Sequence, residues 1–367
     1  MEMIFVAGIG IAVLIEFLLL SKKNKSGADQ ILTVWMFVIL VHLFTFFLYF
    51  TGKIVDVPLM LGVEQPLPLF HGVLLFIYVS LLTKQVPGNR KLLILHFLPI
   101  VVTYAFLFDF FALPVDQKLQ IYRNHGAGYE WFLMVRWYMM AFFGLFYVSW
   151  SAVLLRRHEV RVRNQFSDVE KIDLRWLRML TYGLGVIWLL VIIFRSDPLT
   201  FSGVVVFVFL IGFFGVRQGE IFGHGMSQPE SDEEKKKYPK SGLTEEAATK
   251  LHQALMQLMT ESAIYKKAEL SIDDLSAKLG VHPNYLSQVI NQRENKNFYD
   301  FVNTYRIEEF KRLIAMPRNQ HLTLISVAFD CGFNSKSSFN RYFKKATGQT
   351  PSEYFAALTK ERNTPTV

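Results

Sequence analysis

The stretch SIDDLSAKLGVHPNYLSQVINQ, residues 271–292, reads as two helices joined by a tight turn. Ser271 followed three residues later by Asp274 is a capping box that starts the first helix, with Leu275 and Leu279 facing inward. Gly280 allows the left-handed backbone that a tight turn needs, and Val281 packs beneath it. Pro283 opens the second helix at a position where its missing N–H costs nothing. Leu286, Val289 and Ile290 give that helix a core face, leaving Asn284, Ser287, Gln288 and Asn291 on the outward one. The expected motif is a helix-turn-helix.

A second copy follows about fifty residues later. Thr323 caps a helix carrying Leu324, Val327, Ala328 and Cys331, Gly332 makes the turn, and Phe333 packs under it. A further helix from Ser335 turns Phe339 and Phe343 inward and Lys336, Ser337, Asn340, Arg341 and Lys344 outward. Its inward residues are displaced by one relative to the first copy, which predicts a longer turn. A helix from about Phe298 to Ala315 joins the two pairs, and Thr350-Pro351-Ser352-Glu353 starts a closing helix. Upstream, Leu251, Leu255 and Leu258 mark a helix beginning near Thr244.

These residues carry a resemblance. Leu270 to Tyr354 resembles the DNA-binding domain of the AraC/XylS family, most closely in Asn297–Asn303, Gly332–Asn340 and Gly348–Tyr354. The resemblance covers roughly a quarter of the chain. It implies two helix-turn-helix units, joined by a rigid helix, that enter successive major grooves of double-stranded DNA. Amide side chains suit adenine edges and Arg or Lys suits guanine, so the outward residues of both second helices are the expected DNA contacts. From Pro283 to Lys360 basic residues outnumber acidic ones, and Arg306 is counted among them. Two units per chain let a monomer bind, whereas a site of direct repeats would imply a homodimer. The family's soluble sensing domains have no counterpart here, so its usual ligands do not carry over.

Outward from this region the chain changes character. Residues 217–242 form a polar, charged run that includes Lys235, Lys236 and Lys237 and reads as a flexible linker. Before it, from about Met3 to Val216, long apolar stretches alternate with short charged breaks. A bilayer-spanning helix needs about 20 mostly apolar residues. Seven segments meet that requirement, at about 3–20, 31–51, 66–83, 92–111, 131–155, 176–194 and 199–216. The expected fold is all-α: a seven-helix transmembrane bundle over 1–216, the linker, and a soluble helical DNA-binding domain over 243–362 with two helix-turn-helix units. Lys and Arg crowd the first, third and fifth breaks, which puts the N-terminus outside a cytoplasmic membrane and the C-terminal half in the cytoplasm.

Ionisable groups inside spans are costly and point to function. Among Glu16, His42, His71, His96, Asp109 and Arg136, the reading gathers His42, His71, Asp109 and Arg136 into a pocket for an unknown signal molecule, with Arg195 and Asp197 closing the short last external loop beside it. The bland alternative is that they only join neighbouring helices. The three histidines lie on separate segments without metal-ligand spacing. No phosphate loop, nucleophile elbow or kinase-like histidine block occurs, so neither an enzyme nor a metal or other cofactor is expected. The single cysteine, Cys331, sits in an apolar pattern and reads as an inert buried thiol. Two other readings stand beside the signal transducer: a transporter or channel with a fused regulatory domain, and a regulator whose membrane half is only an anchor or a partner dock.

Overall fold

The computed structural model describes residues 2–86, 89–169, 174–218, 243–319 and 321–363. The expected linker lies outside them except for its first two residues. Among the described residues the protein is helical, with no strand and a single isolated bridge between Phe166 and Ser271. The chain divides into two compact units, residues 1–157 with 174–231, and residues 158–173 with 232–367.

The first unit begins with α1 (Glu2–Ser21) and α2 (Gly27–Phe50). Ser26 and Asp29 form a reciprocal capping box at the head of α2, and Lys22 reaches the same carboxylate at 2.9 Å. After α3 (Leu67–Leu82) comes a 3-10 stretch (Arg90–Phe97) that runs into α4 (Leu98–Phe106), α5 (Phe108–Ala112) and α6 (Val115–Arg123). The long α7 (Glu130–Gln165), α8 (Arg175–Phe194) and α9 (Asp197–Gln218) complete the described helices, with α7 in this unit as far as Arg157.

Five helices here are long and apolar enough to cross a membrane: α1, α2, α7, α8 and the Asp197–Phe214 part of α9. The third and fourth expected spans differ. At 16 residues, α3 extends about 24 Å, less than the roughly 30 Å of hydrocarbon. The fourth is broken where Pro99, in the first turn of α4, withholds the N–H that would continue a helix from the 3-10 turn, and again at Leu107. Inside the unit, Phe5, Leu19, Leu32, Trp35, Met36, Phe76 and Val208 are buried, while Phe17, Val101, Phe108, Tyr182, Ile193 and Val206 are exposed. An outer surface this apolar matches a hydrocarbon solvent better than water. Helix approach is close: a Cβ on Gly144 would lie 2.3 Å from the Trp188 ring.

The second unit contains α10 (Glu245–Glu261), α11 (Ile272–Leu279), α12 (Pro283–Glu294), α13 (Phe298–Ile314), α14 (Leu324–Asp330), α15 (Lys336–Thr347) and α16 (Pro351–Asn363). Ser271 and Asp274 make the expected reciprocal box, Thr323 caps α14, and Thr350 with Glu353 caps α16. Three residues separate α11 from α12 and five separate α14 from α15, so the second turn is the longer one.

Two apolar clusters share α13. Phe298, Phe301 and Val302 join Leu255, Leu275, Leu286 and Ile290 in the first. Ile307, Phe310 and Ile314 join Val327, Cys331, Phe333, Phe339 and Phe343 in the second. Val162 and Val169, from the segment after Arg157, belong to this second cluster. Cys331 is fully buried, and burial pushes its thiol up to about 12, well out of the reactive range.

Candidate nucleic-acid interface and candidate ligand cavity

In the second unit α12 and α15 present the residues expected to meet DNA. Asn284 and Asn291 are exposed on α12, Ser287 and Gln288 are half-buried, and Asn291 Nδ2 lies 3.4 Å from Ser287 Oγ. On α15, Lys336, Ser337, Asn340 and Lys344 are exposed and Arg341 is half-buried, while Phe339, Tyr342 and Phe343 are buried beneath them.

Both helices are fixed by polar contacts as well as by their apolar faces. Glu294 of α12 accepts from His252 at 2.7 Å, and Arg293 pairs with Glu245 of α10. On α15, Tyr342 donates to the Asp300 carbonyl at 2.8 Å, and Lys345 pairs with the Asp300 carboxylate at 2.6 Å. The same helix, α13, thus anchors the second recognition candidate through its first turn.

Sequence reasoning counted Arg306 with the DNA-facing cations, and the structure corrects that. Only 1% of Arg306 is exposed. It sits on α13 between Val302 and Phe310, at the i, i+4 spacing of the buried stripe. Its Nε donates to the Tyr265 carbonyl at 2.7 Å and Nη2 to the Lys267 carbonyl at 2.8 Å. Further bonds reach Ala268 O, Asn303 Oδ1, Ser167 O and Ser167 Oγ. Burial lowers the guanidinium pKa to about 10, with the Asp168 charge acting in the opposite direction.

Ser167 belongs to the segment that sequence reasoning left in the membrane half. Its N–H and its hydroxyl both donate to the Leu270 carbonyl, at 3.0 and 2.7 Å, and Asn303 Nδ2 donates to its carbonyl at 3.0 Å. Asn334 donates to Asp168 at 2.7 Å. Residues 158–169 are therefore a built-in part of this unit. Nearby, Arg312 and then Lys266 bond Glu309 and hold its carboxyl down at about 2.

In the first unit, three of the four expected pocket residues come together. His42, His71 and Arg136 line a cavity of about 460 Å³. Asp109 does not: it is exposed on α5 and absent from the lining. Arg195 and Asp197 also line it, and the cavity adds Glu64 and Gln65, with Trp35, Trp137, Trp188, Phe201 and Phe207 among its walls. Trp35 Nε1 donates to His71 Nδ1 at 3.2 Å, and His71 Nε2 lies 2.9 Å from His42 Nδ1. An indole N–H can only donate, so His71 carries its proton on Nε2 and passes a hydrogen bond to His42. That leaves the His42 Nε2–H as the donor at the end of the relay. His96 serves packing instead, 2.9 Å from the Tyr147 hydroxyl. Among the described residues no group of three metal-ligating side chains occurs.

Residues 275–357 match the family described as "Helix-turn-helix domain". The chain is similar to "Uncharacterized HTH-type transcriptional regulator YobQ" of Bacillus subtilis (strain 168), 36% identical over 93 residues, which are 25% of this chain and 37% of that protein. It is also similar to "Uncharacterized HTH-type transcriptional regulator YijO" of Escherichia coli (strain K12), 31% identical over 100 residues, covering 26% of this chain and 34% of that one. A Staphylococcus aureus (strain COL) protein, "Uncharacterized HTH-type transcriptional regulator SACOL0084", is 35% identical over 86 residues, 23% of this chain and 11% of its own length. The chain thus spans about a third or less of each of these relatives. No solved structure matches it.

Proposed function

We propose that the chain is a membrane-anchored regulator of transcription that binds double-stranded DNA in a sequence-specific way through its C-terminal unit. The observation that carries this reading is the helix-turn-helix match over residues 275–357, which takes in both α12 and α15 with their polar outward faces. Asn284, Ser287, Gln288 and Asn291 read one major-groove segment, and Lys336, Ser337, Asn340, Arg341 and Lys344 read the next. Relatives named as transcriptional regulators support the same role.

The N-terminal unit is proposed to cross a cytoplasmic membrane seven times, α3 and the broken 90–112 region being the third and fourth crossings. The N-terminus then lies outside and the DNA-binding unit in the cytoplasm, in keeping with the basic breaks. An anchor needs one span, and a cavity lined by His42, His71 and Arg136 is more than anchoring requires. Sensing of a small molecule there is the favoured role over a bare anchor or a transporter.

The test uses full-length protein in lipid nanodiscs and a genomic footprint to define the site. Arg341→Ala should relax the preference at a single base pair by about 1–3 kcal/mol, because a bidentate arginine reads one guanine. Lys344→Ala should weaken all sequences alike and lower the salt slope by about one. If neither variant changes DNA binding, the interface has been assigned to the wrong face.

A further inference from the structure

We propose that the cavity of the first unit binds a small zwitterion, with an anionic group at Arg136 and a cationic group at Glu64. This deepens the sensing role above and rests on it.

Four polar atoms on the cavity residues are buried and have no hydrogen-bond partner: Arg136 Nε, Glu64 Oε2, Gln65 Oε1 and Trp188 Nε1. Arg136 uses Nη1 only on the Gln65 carbonyl at 3.3 Å and the Met140 sulfur at 3.1 Å. Glu64 accepts from Gln65 through Oε1 at 2.6 Å and interacts with the Tyr49 hydroxyl, while its Oε2 has no hydrogen-bond partner. Neither Arg136 nor Glu64 takes part in a direct ion pair among the described residues. Burial pushes the Glu64 carboxyl up, so its ionised form is costly without a cation against it, and Arg136 keeps an N–H that no acceptor meets. A ligand with a charge at each end removes both costs together.

The charge balance selects the class. Two cations, Arg136 and Arg195, and two carboxylates, Glu64 and Asp197, line the space. A simple anion satisfies the arginine and repels the acids, and a simple cation does the reverse. Arg195 is already engaged, its guanidinium 4.3 Å from the Trp137 ring centre, so Arg136 is the cation with capacity to spare. The His42 N–H at the end of the relay from Trp35 supplies a second donor for the anionic end. The aromatic walls suit an apolar body and attract a cationic group through their ring faces. A volume of about 460 Å³ falls within the range of small-molecule sites, about 300–1,000 Å³.

Calorimetric titration of full-length protein in nanodiscs tests this with matched probes: L-phenylalanine and glycine betaine as zwitterions, 3-phenylpropionate as anion and phenethylamine as cation. At least one zwitterion should bind more than tenfold tighter than both single-charge probes. Glu64→Gln should erase the advantage over 3-phenylpropionate, and Arg136→Gln the advantage over phenethylamine. Thermal unfolding without ligand is the second readout: the double variant Glu64→Gln with Arg136→Met should be at least as stable as the native protein, because the unpaired charges serve the ligand. Equal or tighter binding of a single-charge probe overturns the proposal. So does failure of both zwitterions, or a double variant clearly less stable than the native protein, which would make the two charges part of the packing. Binding without any change in reporter transcription leaves the zwitterion site standing and sinks the sensing role. Transcription driven by the anion alone does the opposite.

Discussion

Replacing Arg306 with methionine keeps most of the side-chain volume and removes every donor of a guanidinium that is almost wholly buried. Three of its bonds are 3.1 Å or shorter: to Tyr265 O, Lys267 O and Ser167 Oγ. Leaving three buried acceptors short of a donor costs about 1–3 kcal/mol each, so roughly 3–9 kcal/mol in all. Against this stands the charge that methionine no longer buries. The fall of the guanidinium from 12.5 to about 10, the balance of burial against the Asp168 charge, corresponds to about 3 kcal/mol against the charged form. Taking the middle of that range, about 6 kcal/mol, the difference is a net loss of about 3 kcal/mol, concentrated where the bonds are. Arg306→Lys keeps the charge but cannot reproduce the planar fork, and should recover no more than about half of that loss. Because a chain with two compact units has no single unfolding free energy, the assay is native-state amide exchange in nanodiscs. Arg306→Met should raise exchange over residues 264–271 and along α13, and leave α11 and α12 much less affected. Ser167→Ala in the same background should cost less than in the native protein, a coupling of about 0.5 kcal/mol or more. A change below about 1 kcal/mol at 264–271, or an equal loss over the whole unit, would refute the view that Arg306 is a local tie between α13, the 265–268 turn and residue 167.

The glycine turns separate two costs. Gly332→Ala puts a Cβ 2.6 Å from the Tyr265 carbonyl oxygen at a φ of +99°, whereas Gly280→Ala meets nothing within 4 Å at a φ of +66°. Native-state amide exchange should show about 1–2 kcal/mol lost at Gly280, the price of the left-handed region alone, and clearly more at Gly332. Stability of the C-terminal unit should also depend on Glu309. Its carboxyl is held at about 2, below its ordinary value of 4.5, so its contribution is fully present above pH 4.5 and is lost as pH falls from there through about 2. Denaturant midpoints taken from pH 6 down to 2.5 should show that decline, and Glu309→Gln should flatten it within that window.

What the sequence disclosed here was local chemistry. Ser271 and Asp274, Thr323 with the Ser326 N–H, and Thr350 with Glu353 bond across three residues, so the side chains that set each helix start stand beside the backbone they cap. The fourth apolar segment looked continuous because hydropathy averages over Pro99, while the backbone does not. The cavity was half legible for a related reason. Charges inside apolar runs draw notice, which found Arg136 and the two histidines, but Glu64 and Gln65 lie in the turns before α3 and passed as an ordinary external loop. Asp109 stood out by the same rule and is exposed, because a short helix after a break turns its polar residue outward.

The segment around Ser167 was beyond reach of any local rule. Its basic approach, Arg156 to Arg163, fits the expected flank of a membrane span, and its partners Leu270, Asn303 and Arg306 lie more than 100 residues along the chain. Arg306 carried the one usable signal. An arginine in register between Val302 and Phe310 sits on a stripe that must be buried, and a buried guanidinium needs acceptors. α13 can supply Asn303 Oδ1 but no free main-chain carbonyl in mid-helix, so the remaining acceptors have to come from irregular backbone elsewhere. The 265–268 turn provides part of that backbone, and residue 167 provides the rest.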